Sequence, residues 1–101
     1  MTKYQIAIKR FLDEYAAIPA STPTVRYEVI ADDKKSRYCL FRYGLREDSW
    51  THLCIFHINI EAGKVVVHQN LTDLHIDEEL EALGIPKSDV VASVEELVLT
   101  S

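Results

Sequence analysis

Apolar residues recur at helical spacing near the start of the chain. Tyr4, Ile8, Phe11, Leu12, Tyr15 and Ile18 share one face, and Lys3, Lys9, Arg10, Asp13 and Glu14 fill the other. This predicts an amphipathic helix over 3–17. The segment Ile18-Pro19-Ala20-Ser21-Thr22-Pro23 ends it, because a residue before proline is biased out of the α region. The period then changes from helical to two. Thr24 to Ala31 alternates, with Val25, Tyr27 and Val29 opposed to Arg26 and Glu28. A polar turn over 32–36 leads to a second strand, Arg37 to Tyr43, and Gly44 to Ser49 reads as a charged loop. Trp50 to Ile60 and Lys64 to Gln69 predict two further strands joined at Glu61-Ala62-Gly63. A polar connection over 70–74 precedes a short helix from His75 to Leu83. Its Asp77, Glu78 and Glu79 suit the positive end of the helix dipole, and Gly84 and Pro86 suit its stop. Asp89 to Val94 predicts a last short strand, and 95–101 reads equally as helix, strand or tail.

These elements define an α+β fold in one domain spanning 1–101: an N-terminal helix, an antiparallel sheet of about four strands, a short acidic helix and a terminal strand or tail. The turn at Ala62 sets the strand register. A two-residue type I′ turn would put φ > 0 at an alanine, so a three-residue turn with Gly63 left-handed is expected. Ile60 then stands opposite Lys64, Ile58 opposite Val66 and Phe56 opposite His68. One face carries Trp50, Cys54, Phe56, Ile58, Ile60 and Val66. The other carries Leu53, Ile55, Val65 and Val67 beside His57 and Asn59. Two apolar faces and two helices leave one face to be covered, which points to a homo-oligomer or a permanent partner.

Charge separates along the chain. Residues 1–50 hold 9 Lys/Arg against 7 Asp/Glu, and residues 51–101 hold 2 against 9, within a net charge of −5. That balance disfavours a free-standing DNA binder, whose affinity comes from neutralising phosphates. It leaves Glu78, Glu79 and Glu81 to steer a basic partner. No apolar run approaches a membrane span and no signal peptide is visible, so a cytoplasmic protein with reduced cysteines is expected. Cys39 and Cys54 lie in strand-like runs without zinc-ligand spacing. Cys54 with His52, His57 or His68 has the residue types of a metal or thiol site, but strand alternation separates His57 from His52 and Cys54. No phosphate loop or dinucleotide fingerprint is present. Lys34, Lys35 and Arg37, interleaved with tyrosines, are the candidate DNA contacts.

Several segments in order resemble the XisI family. They are Phe11-Leu12-Asp13-Glu14-Tyr15-Ala16-Ala17-Ile18-Pro19, Trp50 with His52-Leu53-Cys54-Ile55-Phe56-His57-Ile58-Asn59-Ile60, and Gly63-Lys64-Val65-Val66-Val67-His68-Gln69. The most specific is Glu81-Ala82-Leu83-Gly84-Ile85-Pro86-Lys87-Ser88-Asp89-Val90-Val91. The family comprises small cyanobacterial α+β proteins named as controlling factors for excision of a DNA element. It is associated with XisH proteins, which resemble restriction-type nucleases. Where family members tend to carry an Asp-Gly-Thr-Glu-like segment, this chain has Asn70-Leu71-Thr72-Asp73-Leu74. The resemblance implies a non-enzymatic accessory protein acting through an XisH-like, nuclease-fold partner, with no cofactor, no catalytic residues to carry over, and DNA contact at most indirect. The expected partner surface is Leu53, Ile55, Val65 and Val67, flanked by Glu78, Glu79 and Glu81. Two alternatives stand beside it: a DNA-contacting recombination accessory using the basic hairpin, and a small metal-binding or thiol enzyme.

Overall fold

A computed structural model of the chain describes residues 2–19 and 23–92. The elements run α1 (Lys3–Ala16), β1 (Val25–Asp32), β2 (Arg37–Arg46), β3 (Ser49–Glu61), β4 (Lys64–Asn70), α2 (Ile76–Ala82), a 3₁₀ turn (Lys87–Asp89) and β5 (Val90–Val91). The five strands form one sheet in chain order, antiparallel from β1 to β4, with β5 parallel to β4. The α+β fold is as expected, with a fifth strand. The rest of the strand expected over 89–94, and the tail after it, lie outside the described residues.

Both helices pack on one face of the sheet. Ala7, Ile8, Phe11 and Leu12 of α1 and Ile76 and Leu80 of α2 meet Tyr38, Leu40, Ile55, Phe56, Ile58 and Val65 in one core, joined by Ile85. Each fully buried aliphatic or aromatic side chain of this kind contributes about 1.5–3 kcal/mol. Ile18, expected on the inward face of the helix, is exposed beyond its end. Gln5, which the apolar pattern passes over, is buried and closes a capping box with Thr2. Its Nε2 also donates to the Asp33 carbonyl at 2.8 Å, tying the helix start to the β1–β2 turn. Lys9 pairs with Asp33 at 2.8 Å, and the Tyr38 hydroxyl donates to the same carboxylate at 2.9 Å.

The sheet corrects three sequence-based expectations. The segment 44–49 is the end of a hairpin, not a loop: β2 runs on to Arg46 and β3 starts at Ser49, joined by a two-residue turn with Glu47 and Asp48 both left-handed, at φ 52° and 63°. The Ala62-Gly63 turn is likewise of the two-residue kind, with φ 51° and 75°. Glu61 therefore stands opposite Lys64 and Ile60 opposite Val65, one residue away from the expected register. The gain is that Val65 and Val67 turn toward the core, which outweighs the roughly 1–2 kcal/mol of a left-handed alanine. Third, the β2–β3 ladder slips after Leu40, which faces Phe56 while Phe41 faces Cys54. Ile55 is the extra residue, a bulge that reverses the facing of β3 along its length.

Ala62→Asn is expected to raise stability by about 0.5–1 kcal/mol, since asparagine tolerates the left-handed turn position. Thermal melting should show this as a rise of several degrees in Tm. Gly44→Ala should do the opposite. Gly44 lies at φ 140°, and an added Cβ would fall 2.1 Å from the Thr24 carbonyl oxygen. A loss of roughly 3 kcal/mol is expected in denaturant unfolding.

Candidate functional site

None of the described helices covers the second face of the sheet, and the register lays its side chains out in cross-strand rows. Leu45 stands opposite Trp50 at the tip of the β2–β3 arm. Behind it come Arg26–Tyr43–His52, then Glu28–Phe41–Cys54, then Ile30–Cys39–His57. The last row is Asp32–Arg37–Asn59–Val66–Val91. The rings form a continuous stripe. The Tyr43 and Trp50 centroids are 6.3 Å apart, Tyr43 and His52 6.2 Å, and His52 stacks on Phe41 at 5.2 Å. Trp50 is 66% exposed and Leu45 is half exposed. Exposed aromatic surface of this kind has the composition of a protein-binding patch.

The other end of the face is closed and polar. Val66, Val91 and Asn59 are buried there. With its amide turned to satisfy its neighbours, Asn59 accepts from Arg37 Nη1 at 2.7 Å and from His68 Nε2 at 3.2 Å. It donates to His57 Nε2 at 3.1 Å. His68 Nε2 also lies 2.9 Å from Glu61 Oε2, Arg37 Nη1 lies 3.4 Å from Glu61 Oε1, and the His57 and His68 rings stack at 4.9 Å. Between the two ends, the Cys39 and Cys54 thiols lie within hydrogen-bonding reach of each other, and burial pushes both pKa values up. Thiols held protonated in this way are poor nucleophiles.

The bulge and the Ala62-Gly63 turn together rearrange the expected partner surface. Ile55 is 2% exposed and Val65 fully buried, and Val67 packs against the core, so these three serve the interior. Leu53 alone remains at the surface, 41% exposed. Glu78, Glu79 and Glu81 are exposed on α2, on the helix side of the sheet, with Lys87 3.7 Å from Glu78. Lys34 and Lys35 are exposed at the β1–β2 turn beside Asp32 and Asp33, whereas Arg37 is held by Glu61 and Asn59. The four candidate ligands also separate: His52 lies on Phe41, Cys54 donates to the Phe56 carbonyl at 3.3 Å, and only His57 and His68 meet. Among the described residues no three His, Cys, Asp or Glu side chains group as metal ligands, and no helix is long and apolar enough to cross a membrane. Strict alternation puts Trp50 and Cys54 on the face of Phe56, which hides the aromatic stripe from the sequence pattern. A bulge has no signature in an apolar run.

Among the described residues, two helices on one side of a five-stranded sheet, and a ring-bearing face on the other that neither helix covers, define a small α+β protein. The chain belongs to the XisI family, whose model, described as XisI protein, matches residues 1–99. It is similar to the crystal structure of a XisI-like protein from Anabaena variabilis ATCC 29413, at 33% identity and a TM-score of 0.82 over 91% of this chain and 84% of that one. It is also similar to the structure of the fdxN element excision controlling factor XisI from the same organism. There the identity is 25% and the TM-score 0.73, over 89% of this chain and 88% of that one. No curated protein matches the chain.

The polar end of the face couples stability to pH. Burial, and then the neighbouring His68, hold His57 below its ordinary 6.5. The hydrogen bond to His68, reinforced by Arg37, holds Glu61 below its ordinary 4.5. Both shifts mean that the folded chain binds fewer protons than the unfolded one, so stability falls on acidification. The His57 contribution is intact above about pH 6.5 and is lost below it; the Glu61 contribution is intact above about pH 4.5 and is lost as pH drops through the folded value. Tm is expected to fall between pH 7.5 and 5.0, and His57→Gln should flatten that slope. An unchanged slope in the variant would remove His57 from this role.

Proposed function

We propose that this chain is a non-enzymatic accessory protein that controls excision of a DNA element by binding a nuclease-like, XisH-type partner. The observation that carries the excision role is the likeness over 89% of the chain to a protein named as an excision controlling factor. The partner-binding mode rests on the open face. Trp50, Tyr43 and Phe41 offer large, rigid apolar area on a strand scaffold, and interfaces concentrate their energy in such residues. The contact surface is accordingly the stripe from Leu45 and Trp50 to Phe41, in place of Ile55, Val65 and Val67; Leu53, opposite Arg42 in the row of Tyr27, lies on the helix side of the sheet.

Tagged protein recovered from its native host is expected to bring down a nuclease-like protein in fixed ratio. Trp50→Ala should weaken that complex by about tenfold or more, as loss of a hot-spot aromatic does. Its exposure means that folding, followed by circular dichroism, should be unchanged. Recovery of no such protein, or a complex indifferent to Trp50→Ala and Tyr43→Ala alike, would sink the proposal.

A further inference from the structure

The described sheet ends on one side at β1, an eight-residue strand with no further strand beside it. Such an edge presents a row of unpaired backbone donors and acceptors. Proteins that stay monomeric blunt it with charged side chains, lysine above all, or with proline, bulges or inward charges. β1 has no lysine, proline or bulge, and its charges, Arg26, Glu28 and Asp32, are of both signs. Val25-Arg26-Tyr27-Glu28-Val29-Ile30-Ala31-Asp32 contains no proline or lysine, and its register with β2 is unbroken. Its half-buried positions at 25, 27 and 29 are Val, Tyr and Val.

The strand is also complementary to itself. A two-fold axis through Tyr27 brings Arg26 opposite the second copy's Glu28, and Glu28 opposite its Arg26, all exposed on the open face. On the other face Val25 meets Val29, and Tyr27 meets its own copy. An axis at Arg26 or Glu28 would place like charges face to face. An axis at Val29 would pair Arg26 with Asp32 but leave Glu28 against Ile30. Charge therefore selects the register. We infer that β1 pairs antiparallel with β1 of a second copy of this chain about an axis at Tyr27, making one continuous sheet of two five-stranded halves. That axis is perpendicular to the sheet, so the two α1 helices lie on the same side and run antiparallel. The α1 flank that reaches the β1–β2 turn through Lys9 also carries Ile6, 52% exposed, and Ala17, which extend the contact. This pairing is independent of the excision partner.

Sedimentation equilibrium of the intact chain tests it. The wild type is expected at twice 11.6 kDa at micromolar concentration. Arg26→Glu and Glu28→Arg should each turn two attractive contacts into two repulsive ones and weaken the dimer by at least about tenfold. An equimolar mixture of the two variants should recover a dimer, because one copy then carries two acidic positions and the other two basic ones. The double variant Arg26→Glu/Glu28→Arg should restore the homodimer. These positions are exposed, and circular dichroism checks that each variant is folded. A wild type that stays at 11.6 kDa at about 100 µM, or single variants that dimerise as the wild type does, would overturn the inference.

Discussion

β3 is thirteen residues long, and its ladder with β2 skips one residue, Ile55, between Cys54 and Phe56. A strand of strict alternation would place Trp50, His52 and Cys54 on the same face as Phe56, Ile58 and Ile60. The extra residue breaks that parity. Ile55 and Phe56 both enter the core, Ile58 and Ile60 follow inward, and Trp50, His52 and Cys54 are left outside. The energetic reason is the helix layer. Phe56 makes edge contacts with Phe11 and Tyr15 of α1, at 5.2 and 5.0 Å, which fixes the inward half of the strand. The described helices offer the arm beyond the bulge no ring contact comparable to those of Phe56. The outward stripe is thus the counterpart of a core contact on the opposite side of the sheet.

The helix layer is itself held by polar ties at its ends, not only by apolar burial. Gln5, Lys9, Asp33 and Tyr38 join the start of α1 to the β1–β2 turn. Tyr4 donates to Asp89, which also receives Lys64 at 3.1 Å, and this fastens α1 to the segment leading into β5. Asp33 and Asp89 are both held below the ordinary carboxylate range by hydrogen bonds, from Lys9 and from Tyr4 respectively. Such exposed ties contribute little individually. Their effect is on direction: they fix how α1 crosses the sheet, and hence which side chains of β2 and β3 it can cover.

The helices, the four long strands and the acidic character of α2 were legible because each rests on a local pattern: 3.6-residue spacing in α1, alternation in β1, and Asp77, Glu78 and Glu79 before Gly84 in α2. The register and the facing of side chains were not. Ala62 obeys a local rule against positive φ until the burial of Val65 and Val67 overrides it, and that burial is a tertiary fact. The expected surface failed in two steps of the same kind, Val65 and Val67 through the turn at Ala62 and Leu53 and Ile55 through the bulge, since one residue of slip exchanges the two faces of a strand. Gln5 was invisible for a different reason: a buried amide is justified by its partners, and the Asp33 carbonyl is 28 residues away. The turn at Glu47 and Asp48 was hidden because neither residue advertises a left-handed position as Asn-Gly would.

The open face divides by chemistry in a way that constrains any function placed on it. Its polar end is internally satisfied: Asn59, His57, His68, Arg37 and Glu61 use their hydrogen-bonding capacity on one another. A ligand there would have to replace partners already in place, at the cost of breaking charge-assisted bonds. The ring end has no such network, and covering Trp50, Tyr43 and Phe41 gains apolar burial while leaving few polar groups unpaired. Arg26 and Glu28 stand beside Tyr43 and Phe41 in the same rows. A β1-paired dimer would therefore present two ring stripes on one side of a single sheet, related by the axis at Tyr27. A partner that is itself two-fold would engage both stripes at once, and the second contact would form at the high effective concentration set by a rigid sheet rather than a flexible linker. The fold in that case contributes geometry to binding, and the stripe contributes the contact energy.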